Sequence, residues 1–121
     1  MTTEQVAHRL IELMREGKST TAYQELFAQD ASAHEMPGIP GGDTKGLDNL
    51  LAKSKAWEED TKELHELRVS EPLIYGHQFS VGMFVDRTKA DGTRDQGEEI
   101  CTYIVKDGKI QSEHFVYYMG G

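Results

Sequence analysis

The beginning of the chain places apolar residues at the spacing of an α-helix. Val6, Leu10 and Leu13 lie four and three positions apart, so they fall along one side of a helix. Thr2 and Gln5 stand just before this run, three residues apart, which is the spacing of a capping box. The pattern therefore predicts an amphipathic helix that begins near Thr2 and packs its apolar side against another element.

Two more helices and a short strand follow. Tyr23 and Leu26 lie on the apolar side of a second predicted helix, which ends near residue 30. Residues 31–36 are typical of a short strand, whereas residues 37–42 hold two prolines and three glycines and predict a loop. A third amphipathic helix is expected over residues 46–60. All three helices are short, so each one needs a packing partner.

The rest of the chain changes to a period of two, which is typical of β-strands. Alternating apolar residues predict strands over residues 67–69, 79–85, 99–105 and 110–118, and Asp107-Gly108 predicts a tight hairpin turn. Both alternating sets of residues 99–105 are mostly apolar, so we expect this strand to be central and covered on both faces. Helices that precede hairpin-connected strands indicate an α+β fold, in which an antiparallel sheet curls around three helices and leaves a pocket at its open end.

Length and composition narrow the class of protein. The 121 residues fit a single domain, residues 1–121, and a hydrophobic content of 37% suffices for one core. Thirteen basic and 21 acidic residues give a formal net charge of −8, which argues against binding to nucleic acid or to an anionic membrane. The single cysteine, Cys101, excludes an intrachain disulfide. No apolar run has the length of a signal peptide or membrane span, so we expect a cytoplasmic protein.

Three stretches of the sequence resemble a known family. They are Gly46–Leu51, Glu98–Val105 and the hairpin Val105–Ile110 with Glu113–Phe115 after it. Together with the order of elements, they resemble the SnoaL-like group of the nuclear transport factor 2-like superfamily. The resemblance implies a cystatin-like cone in which three N-terminal helices pack on a curved antiparallel sheet. Characterised cyclases of this group use a carboxylate in the cone as acid and base on an enolisable polyketide, and they imply no cofactor.

Four ionisable residues are candidates for a catalytic site because each lies on the same side of its predicted strand as apolar residues. Glu99 has the parity of Cys101, Tyr103 and Val105, and Glu113 has that of Phe115 and Tyr117. Glu35 shares the short strand with Ala33, and His65 has the parity of Leu67 and Val69. If these side chains point into the cone, three carboxylates and one imidazole converge. Burial and neighbouring carboxylates raise the pKa of a carboxyl group, so that it exchanges protons near neutral pH. For each residue, a solvated position or a structural ion pair remains the alternative.

Five aromatic residues complete the predicted pocket: Trp57, Phe79, Tyr103, Phe115 and Tyr117. Core packing is the first interpretation of aromatic residues at these spacings, and lining of a ligand site is the second. The hydroxyl of Tyr103 or Tyr117 is expected to act as the donor to a developing oxyanion. The five histidines, at positions 8, 34, 65, 77 and 114, show no paired ligand spacing, so we expect no metal.

Two functions fit this pattern. The first is a cofactor-free acid/base enzyme (an isomerase, cyclase or dehydratase) that acts on a small apolar carbonyl compound, with Glu99 or Glu113 as the base and His65 as its partner. The second is a non-catalytic ligand-binding or dimerisation module. It is favoured by residues 115–119, which lack the aspartate that several catalytic relatives carry there. In both cases the apolar character of the central strands on both faces predicts a homodimer.

Overall fold

The computed structural model describes residues 1–118, so the last three residues of the predicted domain, Met119 included, lie outside the described part. The helices are α1 (Thr3–Arg15), α2 (Ser19–Leu26) and α3 (Leu47–Glu59). The strands are β1 (Phe27–His34), β2 (Asp43–Lys45), β3 (Thr61–Val69), β4 (Leu73–Tyr75), β5 (Gln78–Lys89), β6 (Arg94–Lys106) and β7 (Lys109–Tyr117). The chain therefore passes through two helices, a pair of strands and a third helix before its long run of strands.

Helix α1 begins as the sequence predicts. The backbone N–H of Gln5 donates to the Thr2 hydroxyl at 3.1 Å, and the backbone N–H of Thr2 donates to the Gln5 side chain at 2.9 Å. These reciprocal bonds complete the capping box and satisfy donors that a helix start leaves open. The stripe of Val6, Leu10 and Leu13 is at most 3% exposed, so it is the packed side of the helix.

Helix α2 is shorter than the predicted helix. It ends at Leu26, and Phe27 begins β1 with an extended backbone, at φ −96° and ψ 145°. The side chain of Phe27 is 4% exposed, and an apolar residue at this place fits a helical stripe as well as an inward strand position. Parallel pairing of Phe27 with Ile110 of β7 favours the strand, because ladder pairing and cross-strand packing override a weak local preference.

The seven strands form one sheet in the order β2-β1-β7-β6-β5-β3, and β4 pairs with β5. The predicted hairpins of β5, β6 and β7 are present, and the turn between β6 and β7 uses positive φ angles at Asp107 (52°) and Gly108 (77°). Strand β1 pairs with β7 in parallel, so the sheet is mixed and the prediction of an antiparallel sheet was wrong at this edge. Helix α3 follows β1 and β2, so only two of the three helices are N-terminal to the sheet.

The helices cover one side of the sheet, which we call the inner face. Side chains on this side alternate along the strands, with Phe79 and Val81 on β5, Cys101 and Tyr103 on β6, and Ile110 on β7, all at most 3% exposed. They belong to one core cluster with the apolar sides of the helices. The result is an α+β cone, with the sheet as its wall and the helices inside it.

The opposite side of the sheet, the outer face, carries apolar residues that the described chain leaves exposed. Ile100 and Ile104 of β6 are 53% and 43% exposed, and Val116 of β7 is 56% exposed. Strand β6 is central, as predicted, because β5 and β7 flank it. Residues 1–118 cover only the inner face of this strand, so within one copy these residues do not meet the prediction that both faces are covered.

Candidate functional site

The register of the strands brings three glutamates to the inner face, and we call Glu35, Glu99 and Glu113 the glutamate cluster. Glu113 of β7 is paired with Ala33 of β1, and Glu99 of β6 is paired with Tyr117 of β7. Glu35 directly follows β1, two residues after Ala33. Burial is the main cause that raises the pKa of Glu99 and of Glu113, and the negative charge of Glu35 adds to the rise in both, so the three carboxyl groups interact electrostatically.

Glu113 is the most deeply buried member of the cluster, at 3% exposed. The hydroxyl of Tyr23, on α2, donates a hydrogen bond of 2.5 Å to its Oε1. Burial is the main cause that raises the pKa of Glu113 to about 7, while the Tyr23 hydrogen bond and the charge of Lys53 act in the opposite direction. At neutral pH this carboxyl group is therefore available in both protonation states, which is what general acid/base chemistry requires.

Glu99 is half-buried and lies beside the only cysteine. Burial raises the pKa of Glu99 first of all, and the charge of Glu35 adds to this effect. The Cys101 thiol donates to Glu99 Oε1 over 3.6 Å and stabilises the carboxylate. Burial in turn raises the pKa of the Cys101 thiol, so it stays protonated and is a donor in this site rather than a nucleophile.

Glu35 lies between a cation and a phenol. Its Oε1 is 3.3 Å from Lys53 Nζ, and its Oε2 accepts a hydrogen bond of 3.0 Å from the Tyr117 hydroxyl. Helix α3 places Lys53 there because it stands three residues after the buried Leu50, on the same side of the helix. The sequence interpretation missed Lys53, although its spacing from Leu50 on the apolar stripe could have indicated it.

The structure does not bring His65 to the glutamate cluster. The predicted parity assumed an unbroken strand from His65 to Leu67, but the register of β3 against β5 shifts between Leu64 and Glu66. Such an irregularity reverses the side to which the preceding residues point. His65 Nε2 instead lies 2.6 Å from the hydroxyl oxygen of Thr88 on β5. The expected partnership between this imidazole and the glutamates is therefore absent from the described geometry.

The predicted aromatic residues divide into two groups. Phe79 and Tyr103 are 1% and 3% exposed and stack with their ring centroids 4.9 Å apart, and Phe27 meets the Tyr103 ring edge-on at 6.4 Å. They fill the deep part of the cone, so they pack the core instead of lining an open pocket. Phe115 and Tyr117 are only partly buried. These two rings lie on the inner face of β7, beside the glutamate cluster.

Trp57 has a different role from the predicted one. The guanidinium of Arg87 lies 4.4 Å from the centroid of the Trp57 ring, and the indole is 41% exposed. Arg87, whose side chain is 8% exposed, also pairs with Asp95 at 3.1 Å and donates to the Thr61 hydroxyl at 2.9 Å. The contact between Trp57 and Arg87 thus joins the end of α3 to β5 of the sheet, outside the glutamate cluster.

The groups that the inner face assembles are carboxyl groups, phenols and one ammonium group. Among residues 1–118, no three His, Cys, Asp or Glu side chains are arranged so that they could hold a metal ion. In the same part of the chain, every helix is too short or too polar to cross a bilayer.

Solved structures define the fold class. A Pseudomonas putida protein described as a candidate polyketide cyclase has a TM-score of 0.74 at 15% identity, over 98% of this chain and 93% of that chain. A Xanthomonas campestris protein of unknown function with a cystatin-like fold has a TM-score of 0.77 at 15% identity, over 97% and 91% of the two chains. At such identities the likeness shows the fold alone, which is the cystatin-like cone.

The family follows from the sequence itself. A profile of the SnoaL-like domain matches residues 1–117, so the chain belongs to the SnoaL-like domain family. A Mesorhizobium loti protein described as a candidate SnoaL-like polyketide cyclase is 33% identical, with a TM-score of 0.88 over 97% of this chain and 100% of that chain. No protein of curated function matches the sequence. Membership supports a small-molecule-binding or cyclase-like role at the level of the family.

Proposed function

We propose that the protein is a cofactor-free acid/base enzyme that moves a proton on a small apolar carbonyl compound. The observation that carries this proposal is the environment of Glu113. A carboxyl group buried for structural reasons is normally paired with a cation. Among the described residues, the hydrogen-bond donor to Glu113 is instead the neutral phenol of Tyr23, and two further carboxyl groups lie close by. This environment favours proton exchange over a permanent ion pair.

The chemistry begins with the ionised form of Glu113. Its carboxylate takes a proton from the carbon next to the substrate carbonyl, so a C–H bond breaks and an O–H bond forms on Glu113. The electron pair of the C–H bond becomes the C=C bond of an enolate, and the carbonyl π pair moves to oxygen. The protonated Glu113 then returns the proton to the same or another carbon. Alternatively the enolate carbon forms a C–C bond to a second carbonyl, whose π pair moves to its oxygen, and this alkoxide takes the proton from Glu113. Isomerisation and cyclisation therefore share this first step.

An apolar substrate suits the surroundings of the cluster. Phe115 and Tyr117 present partly buried rings beside the carboxyl groups, and an apolar wall with a few placed polar groups is the usual construction of a small-molecule site. The Mesorhizobium loti relative, at 33% identity, is described as a candidate polyketide cyclase. Ring closure of a polyketide requires loss of a proton next to a carbonyl group, which is the step proposed for Glu113.

Deuterium exchange tests this function without knowledge of the natural substrate. 2-Tetralone, 1-indanone and cyclohexanone are apolar ketones whose enolisable hydrogens disappear from the proton NMR spectrum in D₂O. We expect the wild-type protein to accelerate exchange of at least one of them and Glu113→Gln to slow it about 100-fold, because an amide cannot accept the proton. Glu98→Gln is the matched control, since Glu98 is exposed and neighbours Glu99. An unchanged rate in Glu113→Gln, or no exchange by the wild type, would contradict the proposal.

The outer face favours a second property, assembly with another copy of the chain. Ile100 and Val116 are paired across β6 and β7, and both are more than half exposed. An open groove crosses this face, and Phe84, Ile100 and Val116 are among the residues that line it. A two-fold axis would pack the apolar residues of one copy against the same residues of the second copy, as in an isologous contact. We therefore propose a homodimer, which fits either an enzyme or a non-catalytic binding module.

A further inference from the structure

Resting on the function proposed above, we infer that Lys53 binds the carbonyl oxygen of the substrate and stabilises the negative charge that develops there. Lys53 projects from α3 toward the inner face of the sheet. Its Nζ lies 3.3 Å from Glu35 Oε1 and 5.8 Å from the centroid of the Phe115 ring. The ammonium group therefore lies beside both the glutamate cluster and the rings of Phe115 and Tyr117, where a carbonyl compound would be held.

The tyrosines of the site are poor candidates for this contact because their protons are already committed. A phenol has one O–H to donate. The hydroxyl of Tyr23 donates to Glu113, and the hydroxyl of Tyr117 donates to Glu35. Tyr103 is 3% exposed, and its ring is packed against Phe79 in the deep part of the cone. A substrate oxygen that approached any of these hydroxyls would have to displace an existing bond or a core side chain.

Lys53, by contrast, has N–H donors available for a substrate, and its side chain is free to reorient. An ammonium group carries three N–H bonds, and among the described residues one carboxylate, that of Glu35, accepts from it, at the long distance of 3.3 Å. The side chain of Lys53 is 45% exposed, so it can turn toward a ligand without unpacking the core. In this arrangement Glu35 is a positioning residue, because its carboxylate holds Lys53 at the site when no substrate is bound.

The charge of Lys53 reaches the place where the proton is transferred. Burial raises the pKa of Glu99 and of Glu113, and the charge of Lys53 opposes this rise at both carboxyl groups. When Glu113 takes the proton, its negative charge is neutralised and an equal charge appears on the substrate oxygen. A cation that first stabilised the carboxylate then stabilises the enolate. Such a fixed charge, present before the reaction, needs no reorganisation as the enolate forms.

A stable mimic of the enolate isolates this contact from catalysis. 2-Naphthol is the aromatic counterpart of the enol of 2-tetralone, and its absorbance reports ionisation of its hydroxyl. We expect 2-naphthol bound to the wild type to ionise about one pH unit lower than when bound to Lys53→Met, because an opposite charge nearby favours the anion. Lys53→Arg keeps the charge and should resemble the wild type. Lys55→Met, which removes an exposed cation two residues further along α3, is the matched control.

The same variants are then compared in the exchange of 2-tetralone. We expect Lys53→Met to lower kcat about 100-fold, as loss of an oxyanion donor does, and to change KM by less than about threefold. Lys53→Arg should recover part of the rate, whereas Lys55→Met should keep all of it. Equal ionisation of bound 2-naphthol in the wild type and Lys53→Met, with equal exchange rates, would overturn the inference.

Failure of this inference can be told apart from failure of the proposed function. If Glu113→Gln abolishes exchange and Lys53→Met leaves both readouts unchanged, the acid/base function stands and the role of Lys53 is refuted. If the wild type exchanges no ketone but Lys53 still lowers the pH at which bound 2-naphthol ionises, the catalytic function is refuted. Lys53 then remains the group that binds an anionic oxygen.

Discussion

The hydroxyl of Tyr23 donates a hydrogen bond of 2.5 Å to Oε1 of Glu113, joining α2 to β7 across 90 positions of the chain. Burial raises the pKa of both groups, that of Tyr23 well above 10 and that of Glu113 to about 7. The phenol therefore keeps its proton while Glu113 gains and loses one. In consequence Tyr23 can orient the carboxyl group and tune its acidity without competing for the substrate proton.

Removal of this hydrogen bond should shift the pH dependence of the enzyme upward. The bond lowers the pKa of Glu113, so in Tyr23→Phe that pKa rises above its present value of about 7. The acidic limb of the exchange-rate profile should move to higher pH by about one unit. NMR titration of the Glu113 carboxyl carbon should show the same shift. Tyr75→Phe, at a 70% exposed site, is the control, and coincident profiles for all three proteins would refute the tuning role.

Glu113 should also make the folded state less stable as the pH rises. Its pKa is about 7 in the folded chain against an ordinary 4.5, so between these values the folded chain holds a proton that the unfolded chain has released. The stabilisation is complete below about pH 4.5 and is lost as the pH rises through about 7. It amounts to roughly 3 kcal/mol for a shift of this size in a buried group.

Urea denaturation at several pH values measures this effect against a variant. Relative to Glu113→Gln, whose side chain does not titrate, the wild type should lose about 3 kcal/mol of unfolding free energy between pH 4.5 and 8. A stability difference between the wild type and Glu113→Gln that stays constant with pH would mean that the pKa of Glu113 is not raised in the folded chain.

Local patterns predicted the parts of this fold that depend on neighbouring residues. The capping box at Thr2 and the turn at Asp107-Gly108 are set by residues within a few positions of one another, and the structure contains both. The end of α2 at Leu26 and the parallel pairing of β1 with β7 depend on contacts between distant segments. No spacing within residues 19–34 carries that information, so the sequence predicted a longer helix and an antiparallel sheet.

The same distinction applies to the candidate site. Strand alternation placed Glu99 and Glu113 on one side of the sheet, because no register shift separates Glu99 from Cys101 and Tyr103 on β6 or Glu113 from Phe115 on β7. A shift in β3 displaced His65, and nothing in its sequence neighbourhood marks that shift. The spacing of Lys53 from Leu50 indicates its side of α3, but its contact with Glu35 depends on how α3 packs on the sheet, which the spacing does not give.

The contact between Trp57 and Arg87 should contribute to stability and not to ligand binding. Arg87→Met removes a guanidinium side chain that is 8% exposed, together with its hydrogen bond to the Thr61 hydroxyl and its contact with the Trp57 ring, whereas its partner Asp95 is half exposed and stays solvated. The loss should cost about 1 kcal/mol of unfolding free energy. Trp57→Phe should also unfold at a lower urea concentration than the wild type, but it should bind 2-naphthol with the same affinity. Arg68→Met is the control, because its side chain is 67% exposed and its removal should change stability little. Loss of 2-naphthol binding in Trp57→Phe would instead mean that the Trp57 indole contacts the ligand, as the sequence predicted.

The exposed outer face should hold two copies of the chain together. Sedimentation at micromolar concentration should show twice the 13.6 kDa mass of one chain. Ile100→Lys should shift the protein to a monomer, because a charge would be buried at the centre of an apolar contact without a partner. Thr93→Lys, at the exposed turn between β5 and β6, adds the same charge away from this face and should leave the dimer intact. If the wild type sediments as a monomer, or if Ile100→Lys remains dimeric, the outer face is not the contact between copies.

If Ile100→Lys is a monomer, its exchange rate per chain shows whether one copy suffices for activity. All three residues of the glutamate cluster belong to one chain, so we expect the monomer to keep the exchange rate of the wild type.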